Sequence, residues 1–287
     1  MRHVICLSTI PPRFADIGPT LRALVAQTSR PEAVELYIPR SYRRFAQWGG
    51  GLPEVPEGVT IVRVDEDLGP ATKIPPAARA YRGQTIDLLY VDDDSYYLSD
   101  WAARVLKLRR KLPNTALCAV GLNVDRIGRP WSAREPLPRA VIARDQQKQF
   151  LFRMQRALGH AWSRGSGRPM MLPRFRKLDR SGYVDTASGF GGVAIRPDYL
   201  DDAAFTIPPV LWAVDDIWIS GHLARRGIPI WGDESLARSR SFSDLRLCYP
   251  LLRSVIDGAD RRQANLACVD YMRETYGIWG GDATQSV

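Results

Sequence analysis

Through its first 122 residues the chain alternates short apolar runs with helix-spaced segments, and no other feature restricts its fold so tightly. Residues 3–8 form an apolar run that stops at Thr9-Ile10-Pro11-Pro12, which predicts a strand ending in a loop. Residues 16–28 carry Ile17, Leu21, Leu24 and Val25 at helical spacing and end before Pro31. Further strands are predicted over 34–38, 59–64, 86–91 and 117–120, and helices over 71–81 and 100–112. The last of these puts Trp101, Val105, Leu108 and Leu112 on one face. Strands separated by helices predict an α/β, Rossmann-like, mostly parallel sheet with helices on both faces. Such sheets bind ligands beyond the carboxyl ends of their strands. The chemistry is therefore to be sought just after Ser8, Val64 and Val91.

The second half is less regular. A helix is predicted over 141–158, a short strand over 192–195, a helix over 215–226 stopped by Gly227 and Pro229, and a final helix over 259–276. The net charge of +9 lies in one place: residues 139–180 hold eleven Lys and Arg against Asp145 and Asp179, and the rest sums to zero. Basic residues there interleave with Phe150, Phe152, Trp162 and Phe175, a mixture that suits an anionic membrane surface or simply a solvated helix face. One basic segment on a neutral body argues for a local anionic partner and not for nucleic acid, of which no motif is present. With 45% apolar and 25% charged residues the composition is that of a globular protein. No run reaches the 18 or so apolar residues of a membrane span. A cytoplasmic protein is expected, peripheral at the inner face of the membrane if the basic segment binds there. Four cysteines without C-x-x-C spacing argue against a metal cluster, and Cys6 and Cys118 are expected to be buried thiols.

Asp92-Asp93-Asp94 directly follows the run 86–91. Three carboxylates there repel one another unless neutralised. Asp92 and Asp94, on one face of an extended chain, could share a hard divalent ion such as Mn²⁺ or Mg²⁺. The other reading is a solvated turn capping the next helix; the strand-end position favours metal. Asp215-Asp216 opens the helix 215–226, where acids commonly cap free N–H groups; alternatively one projects outward as a general base. Asp67-Leu68-Gly69-Pro70-Ala71-Thr72-Lys73 sets a lysine at a helix start, suited to a phosphate or to plain solvent. The glycines of Ser188-Gly189-Phe190-Gly191-Gly192 either admit a ligand close to the backbone or shape a bulge. His222 reads as a packed or surface histidine. A D-x-D-x-T phosphatase fails at Tyr96.

The ordered series ICLSTIPPRF, LRALVAQTSRPEAVELYIP, DLGPATKI, LLYVDDDSYY, SGFGGVAIRP and VDDIWISGHLARRGI resembles bacterial GT-A-type glycosyltransferases near family 2, over residues 4–230. The resemblance implies a nucleotide-sugar-binding half at 1–122 and an acceptor-side half at 123–235 with the basic insertion 139–180. A helical C-terminal tail at 236–287 completes what is expected to be one continuous domain. It implies Asp92 and Asp94 as ligands of a divalent ion on the diphosphate of a nucleotide-sugar, with Asp93 near the ribose or sugar. Thr9, Pro11 and Arg13 would contact the nucleotide, Asp67 and Lys73 the donor side, and Gly191 and Gly192 the sugars. Asp216, with Asp215 beside it, would be the base in an inverting transfer to a glycan or lipid-linked acceptor. Two departures stand out. Tyr37-Ile38-Pro39-Arg40 occupies the place of the family's acidic run after the second strand, and no histidine follows His222, so Asp233 or Asp244 would substitute, or the metal would take water. The rival readings are a non-catalytic sugar- or nucleotide-binding module on the same fold and a nucleotidyltransferase.

Overall fold

A computed structural model of the chain describes residues 1–131, 133, 135–143, 154, 157, 158, 178–237, 239–241, 256 and 258–280. The strands are β1 (His3–Ser8), β2 (Ala33–Pro39), β3 (Val59–Val64), β4 (Asp87–Tyr90), β5 (Ser95–Tyr97), β6 (Ala116–Cys118) and β7 (Gly121–Leu122). They continue as β8 (Val141–Ile142), β9 (Leu178–Arg180), β10 (Gly182–Val184), β11 (Thr186–Ala187), β12 (Val193–Ile195), β13 (Ile230–Gly232) and β14 (Ser239–Ser241). The α-helices are α1 (Gly18–Val25), α2 (Pro75–Ala80), α3 (Trp101–Lys111), α4 (Val124–Ile127), α5 (Asp215–Arg225) and α6 (Arg261–Tyr276).

Among the described residues eight strands form one sheet in the order β10-β13-β6-β12-β4-β1-β2-β3. Six run the same way, and only β12 and β10 are reversed. The sheet is therefore mostly parallel, and strands from 1–122 and from 123–235 share it. Alternate residues explain its burial on both faces. Val4, Cys6, Leu88 and Tyr90 point to a core closed by α2, α5 and α6. Ile5, Leu7, Leu89 and Val91 point to a second core closed by α1 and α3. Cys6, Cys118 and Cys268 are buried free thiols. Burial pushes the thiol pKa up in all three.

Two sequence expectations shift. The helix predicted over 71–81 is a 3-10 turn, Gly69–Lys73, followed by α2. Pro75 and Pro76 have no N–H to bond back to the preceding turn, so the ladder breaks at Ile74. The helix predicted over 141–158 does not include its first two residues, because β8 pairs antiparallel with β9. Met154, Ala157 and Leu158 are helical; the rest of that helix, and the basic segment over 144–177 apart from those three, lie outside the described residues. His222 is packed, its ring between Trp218 at 4.5 Å and Tyr276 at 5.3 Å, and burial lowers its pKa to about 4. Among the described residues no helix is long and apolar enough to cross a membrane.

Candidate functional site

The parallel strands β1, β3 and β4 bring Thr9, Asp67 and the acidic run 92–94 to one edge of the sheet. Asp93 is buried there. It accepts hydrogen bonds from Thr9 Oγ1 and from Arg13 at 2.5 Å each, and Thr20 Oγ1 on α1 donates to its backbone carbonyl at 3.0 Å. Tyr42 in turn donates to the Thr9 carbonyl at 2.8 Å. The turn Pro11–Arg13 faces a hollow of about 350 Å³ lined by Pro11, Pro12, Arg44, Phe45 and Trp48 among others. Trp48 stands edge-on to Tyr42 and Phe14, with ring centroids at 4.9 and 6.1 Å. Asp67 accepts from the Arg43 and Gly69 N–H groups, and burial raises its pKa against those bonds.

Reversal of β12 builds the other half. Because Val193 pairs with Tyr90 antiparallel, the segment entering β12 arrives where β4 ends. Gly189 then lies against Asp92: a Cβ there would come within 2.6 Å of Asp92 Oδ1, so a side chain at this position would have to displace that carboxylate. Its N–H and the Ser188 hydroxyl donate to the two carboxylate oxygens of Asp216, at 2.8 and 3.0 Å. Asp216 is half-buried, with protein crowded about its carboxyl. Burial first, then the charges of Asp215 and Asp92, raise its pKa to about 7, while Arg261 and the Gly189 N–H pull the other way. Asp215 is buried and faces Lys73 Nζ at 3.4 Å and Arg261 at 3.8 Å. Lys73 is buried too and donates to Asp92 Oδ1 at 2.7 Å. Burial opposes its charge, but Asp92 and Asp215 outweigh that and raise its pKa above the ordinary lysine value.

The helix start at α5 has Val214 as its N-cap with no side-chain cap, so the acids there are engaged with other elements. The structure gathers Asp92, Lys73, Asp215 and Asp216 into one group, and Thr9, Arg13 and Asp93 into a second. Gly191 and Gly192 belong to neither. Their φ values are +89°, and a Cβ on Gly192 would meet the Trp101 ring at 2.3 Å, so their observed contacts are with the core. Asp233 is taken up locally, accepting from Ser235 N, Ser235 Oγ and Trp231 Nε1 at 2.9, 2.6 and 3.0 Å. Asp244 lies outside the described residues. Sequence reasoning named the segment 188–192 without giving Ser188 or Gly189 a role of its own, and it missed Arg44, Trp48 and Arg261. The reversed strand order could have pointed to Ser188 and Gly189; nothing local marks Arg261.

Asp93 and Asp94 form a turn, not the extended stretch on which a shared face was argued. Among the described residues no cluster of three or more His, Cys, Asp or Glu side chains is arranged to hold a metal ion. Mn²⁺ and Mg²⁺ need only one or two carboxylates when water and substrate phosphates complete the shell. The hard oxygens of Asp92 and Asp94 fit that chemistry, although Lys73 already engages one oxygen of Asp92.

No protein-family model and no curated protein matches the chain. Among solved structures, S. aureus TarS 1-349 with UDP-GlcNAc matches with a TM-score of 0.45 and 12% identity, covering 96% of this chain and 73% of that one. The same fragment with UDP gives 0.38 and 11%, covering 81% of this chain and 58% of that one. A further TarS structure gives 0.42 and 12%, covering 95% of this chain and 43% of that one. The chain thus spans less than half of that TarS chain, and likenesses this distant bear on no residue's role.

Proposed function

We propose that the protein transfers a sugar from a nucleotide-diphosphate sugar to a hydroxyl of a glycan or lipid-linked acceptor, with inversion. The observation that carries the reading is Asp216. It is a carboxylate held by two neutral donors, with its pKa raised to about 7, at the carboxyl edge of a mostly parallel sheet. A base poised near neutrality is what deprotonation of a hydroxyl requires. Asp216 takes the acceptor proton as that oxygen bonds to the anomeric carbon and the bond from that carbon to the diphosphate breaks. The acceptor approaches opposite the departing group, so configuration inverts.

The donor's nucleoside would enter the hollow beside Pro11, where Trp48, Phe45 and Arg44 offer apolar and cationic contact. Thr9 and Arg13 fix Asp93 below it. Lys73 ties Asp92 to Asp215 and so joins the donor side to the base. Asp92 and Asp94 would hold Mn²⁺ or Mg²⁺, which when bound supplies positive charge beside the diphosphate. A lipid-linked acceptor would suit the basic segment 139–180.

The test is thermal stabilisation by nucleoside diphosphates and triphosphates, with and without Mn²⁺, on wild type and Asp94→Ala. Stabilisation by one diphosphate that requires both the metal and Asp94 supports the reading. Preference for a triphosphate favours a nucleotidyltransferase instead. Silence with every nucleotide favours a non-catalytic module.

A further inference from the structure

The resemblance over residues 4–230 leaves the C-terminal tail without a part in the chemistry, yet the tail reaches the acid pair. We propose that Arg261, the first residue of α6, is a positioning residue for that pair: its guanidinium secures Asp215, leaving Asp216 as the acid that exchanges a proton. The role is stated for the transfer step proposed above and rests on that reading.

Three observations converge. First, the start of α6 is fixed in place. Asp260 accepts from the Gln263 N–H at 2.8 Å while the Gln263 side chain accepts from the Asp260 N–H at 2.9 Å, a reciprocal cap that defines where the following residue points. Second, α6 is bolted to the helix that carries the acids. Gly221 of α5 lies so close to Met272 that a Cβ would meet its sulfur at 2.7 Å. Third, Arg261 approaches Asp215 Oδ1 to 3.8 Å, and its Nη1 is buried without a hydrogen-bond partner among the described residues. A guanidinium merely bracing the helix start would be expected to satisfy its donors on carbonyls. One held just beyond hydrogen-bond reach of a carboxylate acts through its charge.

That charge falls where it counts. Asp216 is faced by Asp215 beside it, Asp92 after β4, Lys73 from the 3-10 turn, and Tyr90 and Cys118 from β4 and β6. Lys73 is shared between Asp92 and Asp215. Arg261 thus offsets the second acid, and without it the two negative charges of the pair would face each other with Lys73 alone between them and Asp92.

The experiment follows the carboxyl carbons of aspartate by ¹³C NMR in protein labelled at that position, with Asp216→Asn identifying the resonance of Asp216. Arg261→Gln is expected to move its titration to higher pH by roughly one unit, as loss of a nearby opposite charge does. Arg261→Lys is expected to restore most of the wild-type value. An unmoved titration in Arg261→Gln overturns the proposal. Should that variant not melt cooperatively, Asp260→Ala takes its place, since it loosens the first turn of α6 and keeps the guanidinium. It should give a smaller shift in the same direction, and no shift overturns the proposal equally. The titration needs neither donor nor acceptor. A titration that moves in a protein that transfers no sugar therefore supports the charge balance and sinks the transferase reading.

Discussion

Asp93 and Asp216 are the same side chain in two surroundings, and the contrast lies in their partners. Asp93 faces a guanidinium and a hydroxyl, both aimed at it from the loop after β1. Asp216 has a hydroxyl and a backbone N–H, with other acids as its neighbours. The paired guanidinium and hydroxyl hold the Asp93 carboxylate in place, whereas neutral donors among like charges leave Asp216 able to take a proton. In the proposed transfer the second arrangement is the one that serves as a base.

The sharpest way to break this comparison is Asp216→Asn. Sugar transfer should fall by about 10²- to 10⁴-fold, the range for removing a general base, while the folded protein still melts cooperatively. Rates near wild type in a transfer assay would remove the base from Asp216. Next in size is Arg13→Gln, which strands a buried carboxylate. Breaking such a pair costs about 3 kcal/mol, so the melting temperature should drop by roughly 6–12 °C in calorimetry. A drop under 2 °C would mean that Asp93 is not held as described.

The pH dependence tests Asp216 by itself. The pKa of Asp216 is raised on folding, so between its unfolded value and about 7 the folded state binds the extra proton. Its contribution to stability is therefore present at acid pH and lost as pH rises through about 7. Melts of wild type and Asp216→Asn from pH 5 to pH 8 should show the variant gaining relative stability with pH, by a few degrees. The rate of transfer should run oppositely, rising through the same window as the base loses its proton. The smallest expected effect is that of Ser188→Ala. Loss of one neutral hydrogen bond, worth about 1 kcal/mol, should move the acidic limb of the rate profile up by less than one pH unit. An unmoved limb would leave Gly189 as the donor that matters.

Much of the sheet was legible. β1 and β3 begin and end at the predicted residues because their apolar runs are bounded sharply, by Thr9-Ile10-Pro11 on one side and by Gly58 and Asp65 on the other. The break at Ile74 was legible in principle, since Pro75-Pro76 stands in the sequence; the helical composition around it masked the signal. Asp67 and the run 92–94 were found by their positions after strands, and Asp215 and Asp216 by theirs at a helix start, both of which sequence does record. Their division of labour was not, because it depends on which partners come from elsewhere. Lys73 meets Asp215 across 142 positions and Arg13 meets Asp93 across 80. The resemblance singled out Gly191 and Gly192, whereas Gly189, two residues earlier, makes the close approach to Asp92. Nothing in the periodicity of the chain distinguishes those three glycines.

The reversed direction of β12 has a consequence for how this protein could change over time. Because β12 is wedged between β4 and β6, its three residues are all buried and its pairing cannot slide without turning Val193 and Ile195 to the wrong face. The segment before it inherits that rigidity. Adding or deleting one residue between Ala187 and Val193 would displace Ser188 and Gly189 by about the 3.3 Å rise of one strand residue. Loops such as 49–57, exposed over much of their length, can lengthen freely, and new specificities have room to arise there. The short approach to β12 has no such latitude, so variation around this cleft should accumulate on one bank and be nearly forbidden on the other.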